Sequence, residues 1–103
     1  MESVSHVAKL WRWTGGSGLG WFFVTIDGTA GETLSATALM RRLEFGARPG
    51  FGALRVQARI GESRWQTSVF PQKELGWLLP VKAAIRRIEA IGEGDEVAIV
   101  LEF

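Results

Sequence analysis

Apolar and polar positions alternate most cleanly between Gly52 and Phe70. Leu54, Val56 and Ala58, then Trp65, Thr67 and Val69, take one set of positions. Arg55, Gln57 and Arg59, then Arg64, Gln66 and Ser68, take the other. A period of two belongs to strands with one buried face. Gly61-Glu62, between the two runs, suits a two-residue hairpin turn with glycine first. That turn predicts Ala58 opposite Trp65, Val56 opposite Thr67 and Leu54 opposite Val69. On the other face it sets Arg59 against Arg64, Gln57 against Gln66 and Arg55 against Ser68. A slip of one residue would mix the faces, so the pattern and the turn specify the same register.

The remaining elements follow from weaker patterns. Val7 to Thr14 reads as a strand rich in aromatic and branched residues, and Trp21 to Ile26 as a second. The glycine-rich stretch Gly15 to Gly20 joins them. Such a loop cradles phosphate when it opens a helix; this one opens a strand and reads as a hairpin loop. Thr29-Ala30-Gly31-Glu32 has the spacing of a capping box and predicts a helix through about Leu43. Leu34, Ala38 and Leu39 form its apolar stripe, Arg41 and Arg42 its last turn, and Gly46 its stop. Arg48-Pro49-Gly50 reads as a turn, and Gly76 to Leu79 as a buried strand closed by Pro80. Val81, Ala84, Ile85, Ile88 and Ile91 recur on one helical face, with Gly92 ending the helix and Gly94-Asp95 turning the chain. In the last strand Val97, Ile99, Leu101 and Phe103 alternate with Glu96, Ala98, Val100 and Glu102. Leu19-Gly20-Trp21 and Leu75-Gly76-Trp77 each begin a strand, helix, strand order, 56 residues apart. Together these elements predict a single mainly β domain over 1–103: a β-barrel with two short helices and two related halves.

Composition narrows the functional classes. With 103 residues, 47% of them hydrophobic, the chain buries a core without staples, and its lack of cysteine excludes disulfides, thiolate metal sites and a cysteine nucleophile. Twelve basic and eleven acidic residues leave a net charge of +1, so no overall field drives the chain onto nucleic acid or an anionic membrane. Met1 to His6 has neither a basic start nor an apolar stretch, and no run approaches the length that spans a bilayer. A cytoplasmic protein with no membrane partner is the expectation.

Candidate chemistry is sparse. His6, the only histidine, is expected in a frayed N-terminal end, which leaves a Ser-His-Asp triad or a histidine metal site without support. Glu93, Asp95 and Glu96 crowd a turn without the ligand spacing of a calcium loop. No cofactor motif is present. Facing arginines are unfavourable in a sheet, so Arg59 with Arg64, reinforced by Arg55, calls for compensation. One reading is solvation or nearby carboxylates, with Glu44, Glu62 and Glu74 as candidates. The other is an anion-recognition face in which Gln57 and Gln66 add hydrogen bonds. Among the five tryptophans Trp65 belongs on the buried hairpin face. Trp11, Trp13, Trp21 and Trp77 are expected chiefly in the core, with an exposed pair beside the glycine-rich loop as the alternative, a stacking surface or pocket mouth.

Two resemblances extend this reading. Leu79-Pro80-Val81-Lys82-Ala83-Ala84-Ile85-Arg86, followed by Ile91-Gly92-Glu93-Gly94-Asp95-Glu96-Val97, resembles the strand, helix, Gly-Asp turn and strand of swapped-hairpin, AbrB-like DNA-binding domains. A longer resemblance is to the bacterial domain-of-unknown-function family DUF1905. It rests on Trp21-Phe22-Phe23-Val24, Arg55-Val56 leading to Gly61, Thr67-Ser68-Val69-Phe70-Pro71, the Val81-Lys82 to Ile85-Arg86 helix, and Gly92-Glu93-Gly94-Asp95-Glu96-Val97. The chain differs in carrying Gln72-Lys73-Glu74 after Pro71 and a longer segment from Thr29 to Pro49. The resemblance implies a double-split β-barrel within one chain and no established activity.

The expected function is therefore a non-enzymatic binding or interaction module with an unknown ligand and no cofactor. Nucleic-acid binding through Arg55, Gln57, Arg59, Arg64 and Gln66, with Lys82 and Arg86, is the first alternative. An enzyme acting on a small anion is the second. A monomer is expected, or a weak homodimer through the edge of the final strand.

Overall fold

The computed structural model describes residues 1–15, 20–46, 52–73 and 76–103. Within the described residues six strands and two helices follow one another as β1 (Ser3–Thr14), β2 (Gly20–Ile26), α1 (Gly28–Phe45), β3 (Leu54–Ile60), β4 (Ser63–Gln72), β5 (Gly76–Pro80), α2 (Ala83–Glu89) and β6 (Glu96–Glu102). The strands close into a barrel in the order β1-β2-β5-β4-β3-β6, with every pairing antiparallel. Exchanging β1, β2, α1 and β3 for β4, β5, α2 and β6 maps this ring onto itself. Gly20 and Gly76 open the equivalent strands β2 and β5, which gives the repeated Gly-Trp step a structural counterpart. Leu19, Leu75, Glu74 and the Arg48-Pro49-Gly50 turn lie outside the described residues, as do 16–18 of the glycine-rich loop.

The β3–β4 ladder has the predicted register throughout, from Leu54 opposite Val69 to Ile60 opposite Ser63. Gly61 adopts φ 58° while Glu62 stays at negative φ, the combination that a turn with glycine first requires. Leu54, Val56, Ala58, Ile60, Trp65 and Val69 point inward and are buried, whereas Arg55, Arg59, Arg64 and Gln66 point out and are exposed. Inside, they meet Leu10, Val24, Ile26, Leu79, Val97, Ile99 and Leu101, so the core fills the barrel lumen. Burying an aliphatic side chain of this size contributes about 1.5–3 kcal/mol.

The helices close opposite ends. α1 starts where β2 ends, beside Ile26 and Gly76, and buries Ala30 and Leu34, while the Trp77 indole N–H donates to Ser35 Oγ at 2.9 Å. α2 starts where β5 ends, and Val81 N–H donates to the Phe22 carbonyl there. Ser63 Oγ donates to Glu89 Oε2 at 2.5 Å, fastening α2 to the start of β4.

Several expectations need correction. β1 begins at Ser3, because Val4 and His6 continue the inward register against Leu101 and Ile99. His6 thus lies within a ladder and not at a frayed end; its Nε2 stands 3.3 Å from Asp27 Oδ1. α1 starts at Gly28 after Asp27, so Thr29 lies inside the helix, no side chain caps it, and the capping box does not form. Gly46 does end it, at φ 80°. Of the predicted stripe Leu34 is buried and Ala38 packs partly against the core, yet Leu39 is 54% exposed, because α1 leaves the barrel end beyond Ala38. α2 is shorter than the pattern implied: Ile85 alone is buried within it, Ile88 faces solvent, and Ala90 in the left-handed region, not Gly92, ends it. β6 lies between β1 and β3, paired with β1 from Glu96 to Glu102 and with β3 from Ile99 to Glu102.

Candidate functional site

β4 changes partners part-way along, as β1 does. β4 pairs with β3 from Ser63 to Val69 and with β5 from Phe70 to Gln72. β5 in turn pairs with β4 only from Gly76 to Leu78; its continuation, Leu79-Pro80, pairs with β2 alone. Pro80 has no N–H to offer a ladder, which suits it to a strand edge. Beyond Leu78 and Phe70, β4 and β5 therefore diverge and leave an opening on the outer surface.

A cavity of about 730 Å³ lies over this opening. Cross-strand register builds one wall: Trp11 faces Phe23, and Trp13 faces Trp21, across β1 and β2. The Trp11 and Phe23 ring centres are 5.3 Å apart and tilted, and those of Trp21 and Phe23 are 6.5 Å apart and nearly parallel. The Trp11 indole N–H donates to Thr25 Oγ1 at 2.9 Å, which fixes its ring. Trp13 lies over Gly15, where a β-carbon would collide with the indole. Leu78 and Pro80 of β5 add apolar surface, and the far wall is Phe70 with Gln66, Thr67, Ser68 and Gln72 of β4 and Arg55 of β3. Trp13 is 50% and Trp21 55% exposed, so the tryptophans divide: Trp65 and Trp77 enter the core, and the pair flanking the glycine-rich loop forms the wall. The expectation that core packing accounts for these tryptophans is corrected for Trp13 and Trp21, which stand an odd number of residues from the buried Leu10 and Val24 and so turn outward.

The candidate anion-binding residues do not form one site. Arg55 and Gln66 line the groove. Gln57, Arg59 and Arg64 stand on the adjoining outer face, Arg59 directly opposite Arg64. Among the described residues none of these arginines makes an ion pair, and the carboxylate of the neighbouring strand is Glu102, paired with Gln57, not Glu44 or Glu62. Lys82 is exposed immediately before α2. Arg86 is engaged within the chain: its guanidinium lies 3.7 Å from the centre of the Phe22 ring, and its Nε–H donates to the Val81 carbonyl. Stacking and hydrogen bonding hold it as a structural clamp between α2 and β2.

The groove's described lining has aromatic faces, amide, hydroxyl and guanidinium groups, and no His, Asp, Glu, Lys or Cys. A guanidinium stays protonated and supplies no general base. Among the described residues no group of three or more His, Cys, Asp or Glu side chains is placed to hold a metal ion, and no helix is long and apolar enough to cross a membrane.

The sequence model of Domain of unknown function (DUF1905) matches residues 7–101, which include every described residue that lines the groove. The chain belongs to the DUF1905 family. No curated protein matches it. The DUF1905 match gives the six-stranded barrel a family and carries no AbrB-like likeness.

Proposed function

We propose that this DUF1905 chain is a binding module whose site is the aromatic groove over the β4–β5 opening. Its ligand joins a flat apolar group to one anionic or hydrogen-bond-accepting group. The observation that carries this reading is the half-exposed pair Trp13 and Trp21, held beside Trp11, Phe23 and Phe70 on a rigid sheet. Large aromatic surface left in water is recovered when a ligand covers it. Concave sites of this size, mostly apolar with a few polar groups, suit small ligands and short segments. Arg55 is the one cation among the described lining residues, which favours a single anionic group over a phosphate chain needing several.

Anilinonaphthalenesulfonate, an aromatic anion, is a direct probe. Titration into the folded chain should give saturable fluorescence enhancement, weakened about tenfold or more by Trp21→Ala and several-fold by Arg55→Ala. Non-saturable enhancement, or enhancement indifferent to both variants, would refute the reading. A salt-dependent affinity for an oligothymidylate, reduced by Arg59→Thr, would instead favour nucleic acid across the arginine face.

A further inference from the structure

The opening exposes backbone as well as side chains. In a two-residue hairpin the residues flanking the turn exchange hydrogen bonds, and such pairs alternate along the ladder. Here Ile60 and Ser63 flank the turn, so Ser63, Trp65, Thr67 and Val69 bond to β3. The even-numbered residues of β4 direct their N–H and C=O groups the other way. Phe70 and Gln72 find β5 there. Gln66 and Ser68 find no strand, and among the described residues no backbone or side-chain hydrogen bond reaches their main chain. Both residues line the groove.

We infer that the groove's ligand is an extended polypeptide segment, which adds as a short strand along the β4 edge at Gln66 and Ser68. This rests on the groove being a binding site and names the partner. Donor and acceptor groups repeating along an unpaired strand are complementary to another extended backbone, and main-chain pairing then supplies affinity while alternate side chains supply specificity. A segment of about five residues spans the stretch from Arg64 to Ser68 at ~3.3 Å per residue. Its outward apolar side chains meet Trp21, Phe23 and Phe70. Ser68, the small residue opposite Arg55, leaves the guanidinium within reach of an acidic side chain. Pro80 on the far side has no N–H, so β5 does not compete for the edge.

Random heptapeptides displayed on phage and selected on the intact chain test this, with the selected sequences titrated as synthetic peptides. The sequences should combine alternating apolar residues with an acidic one. N-methylation at successive positions should weaken binding about fivefold or more at every second residue and little between them. Amide exchange at Gln66 and Ser68 should slow on adding peptide. Ser68→Pro, which deletes a donor that β3 does not use, should weaken peptide binding about fivefold or more. Failure to select any peptide, or N-methylation effects without alternation, while the dye still binds saturably, would overturn the peptide assignment and leave the groove reading standing. Loss of both overturns both.

Discussion

β1 and β4 occupy equivalent places in the ring, each pairing with one neighbour along its first part and with another along its last. What lies beside the first part differs. Two contacts tie α1 and its N-cap to β1 and the residue before it: His6 with Asp27, and Thr37 donating to Glu2. Ten helical residues cover about 15 Å and four strand residues about 13 Å, so the helix runs alongside the strand. α2 has seven residues against eighteen in α1, and it reaches β4 through Glu89 and Ser63, at the strand's start. The same topology thus gives one strand flanked by a helix and one left beside a groove. Helix length, not strand order, separates the half that carries the groove from the half that does not.

Substitutions can break or sharpen this contrast. The largest effect is expected for Leu34→Ala, which empties a fully buried position under α1 and should cost about 2–5 kcal/mol in a urea melt while leaving dye binding intact. Trp21→Ala should invert that outcome, with at least tenfold weaker dye binding, about 1.4 kcal/mol, and a smaller loss of stability. If Trp21 proved as costly to stability as Leu34, the aromatic wall would belong to the core. Ser63→Ala removes the bond to Glu89 and should cost about 1 kcal/mol by the same melt, reporting how far α2 depends on that single fastening. The smallest effect is expected for Arg59→Thr. It relieves the facing Arg64 and should leave stability unchanged or raise it by about 0.5 kcal/mol, the gain shrinking at high salt. A loss above about 1 kcal/mol would reveal an intramolecular partner for Arg59.

The barrel was legible where residues alternate under a defined turn. The hairpin register and the inward set of β6 were readable because burial on one face imposes a period of two, and the strand at Gly76 because its short run is wholly apolar and closed by Pro80. The helices were less so. Thr29 and Glu32 match a capping box by spacing, but the chain leaves β2 at Ile26 and enters α1 directly from Asp27. In α2 the stripe from Val81 to Ile91 spans more than the helix, since Val81 is buried before it begins. The groove was legible only in pieces. Arg55 and Gln66 came from the hairpin pattern, and an exposed tryptophan pair beside the glycine-rich loop was an alternative to core packing. Their meeting depends on β4 changing partners at Phe70, a long-range event with no local signature. Arg86 shows the converse: a cation on a helix face is absorbed by Phe22, a residue 64 positions away in the chain.

Five indole N–H groups serve as built-in reporters of the groove, and following their proton–nitrogen resonances during titration with anilinonaphthalenesulfonate is the most direct test. Trp11, Trp13 and Trp21 should shift progressively and to saturation, while Trp65 in the lumen and Trp77, bonded to Ser35, stay in place. Equal shifts at all five, or shifts confined to Trp65 and Trp77, would place the dye elsewhere and contradict a binding site on the outer face.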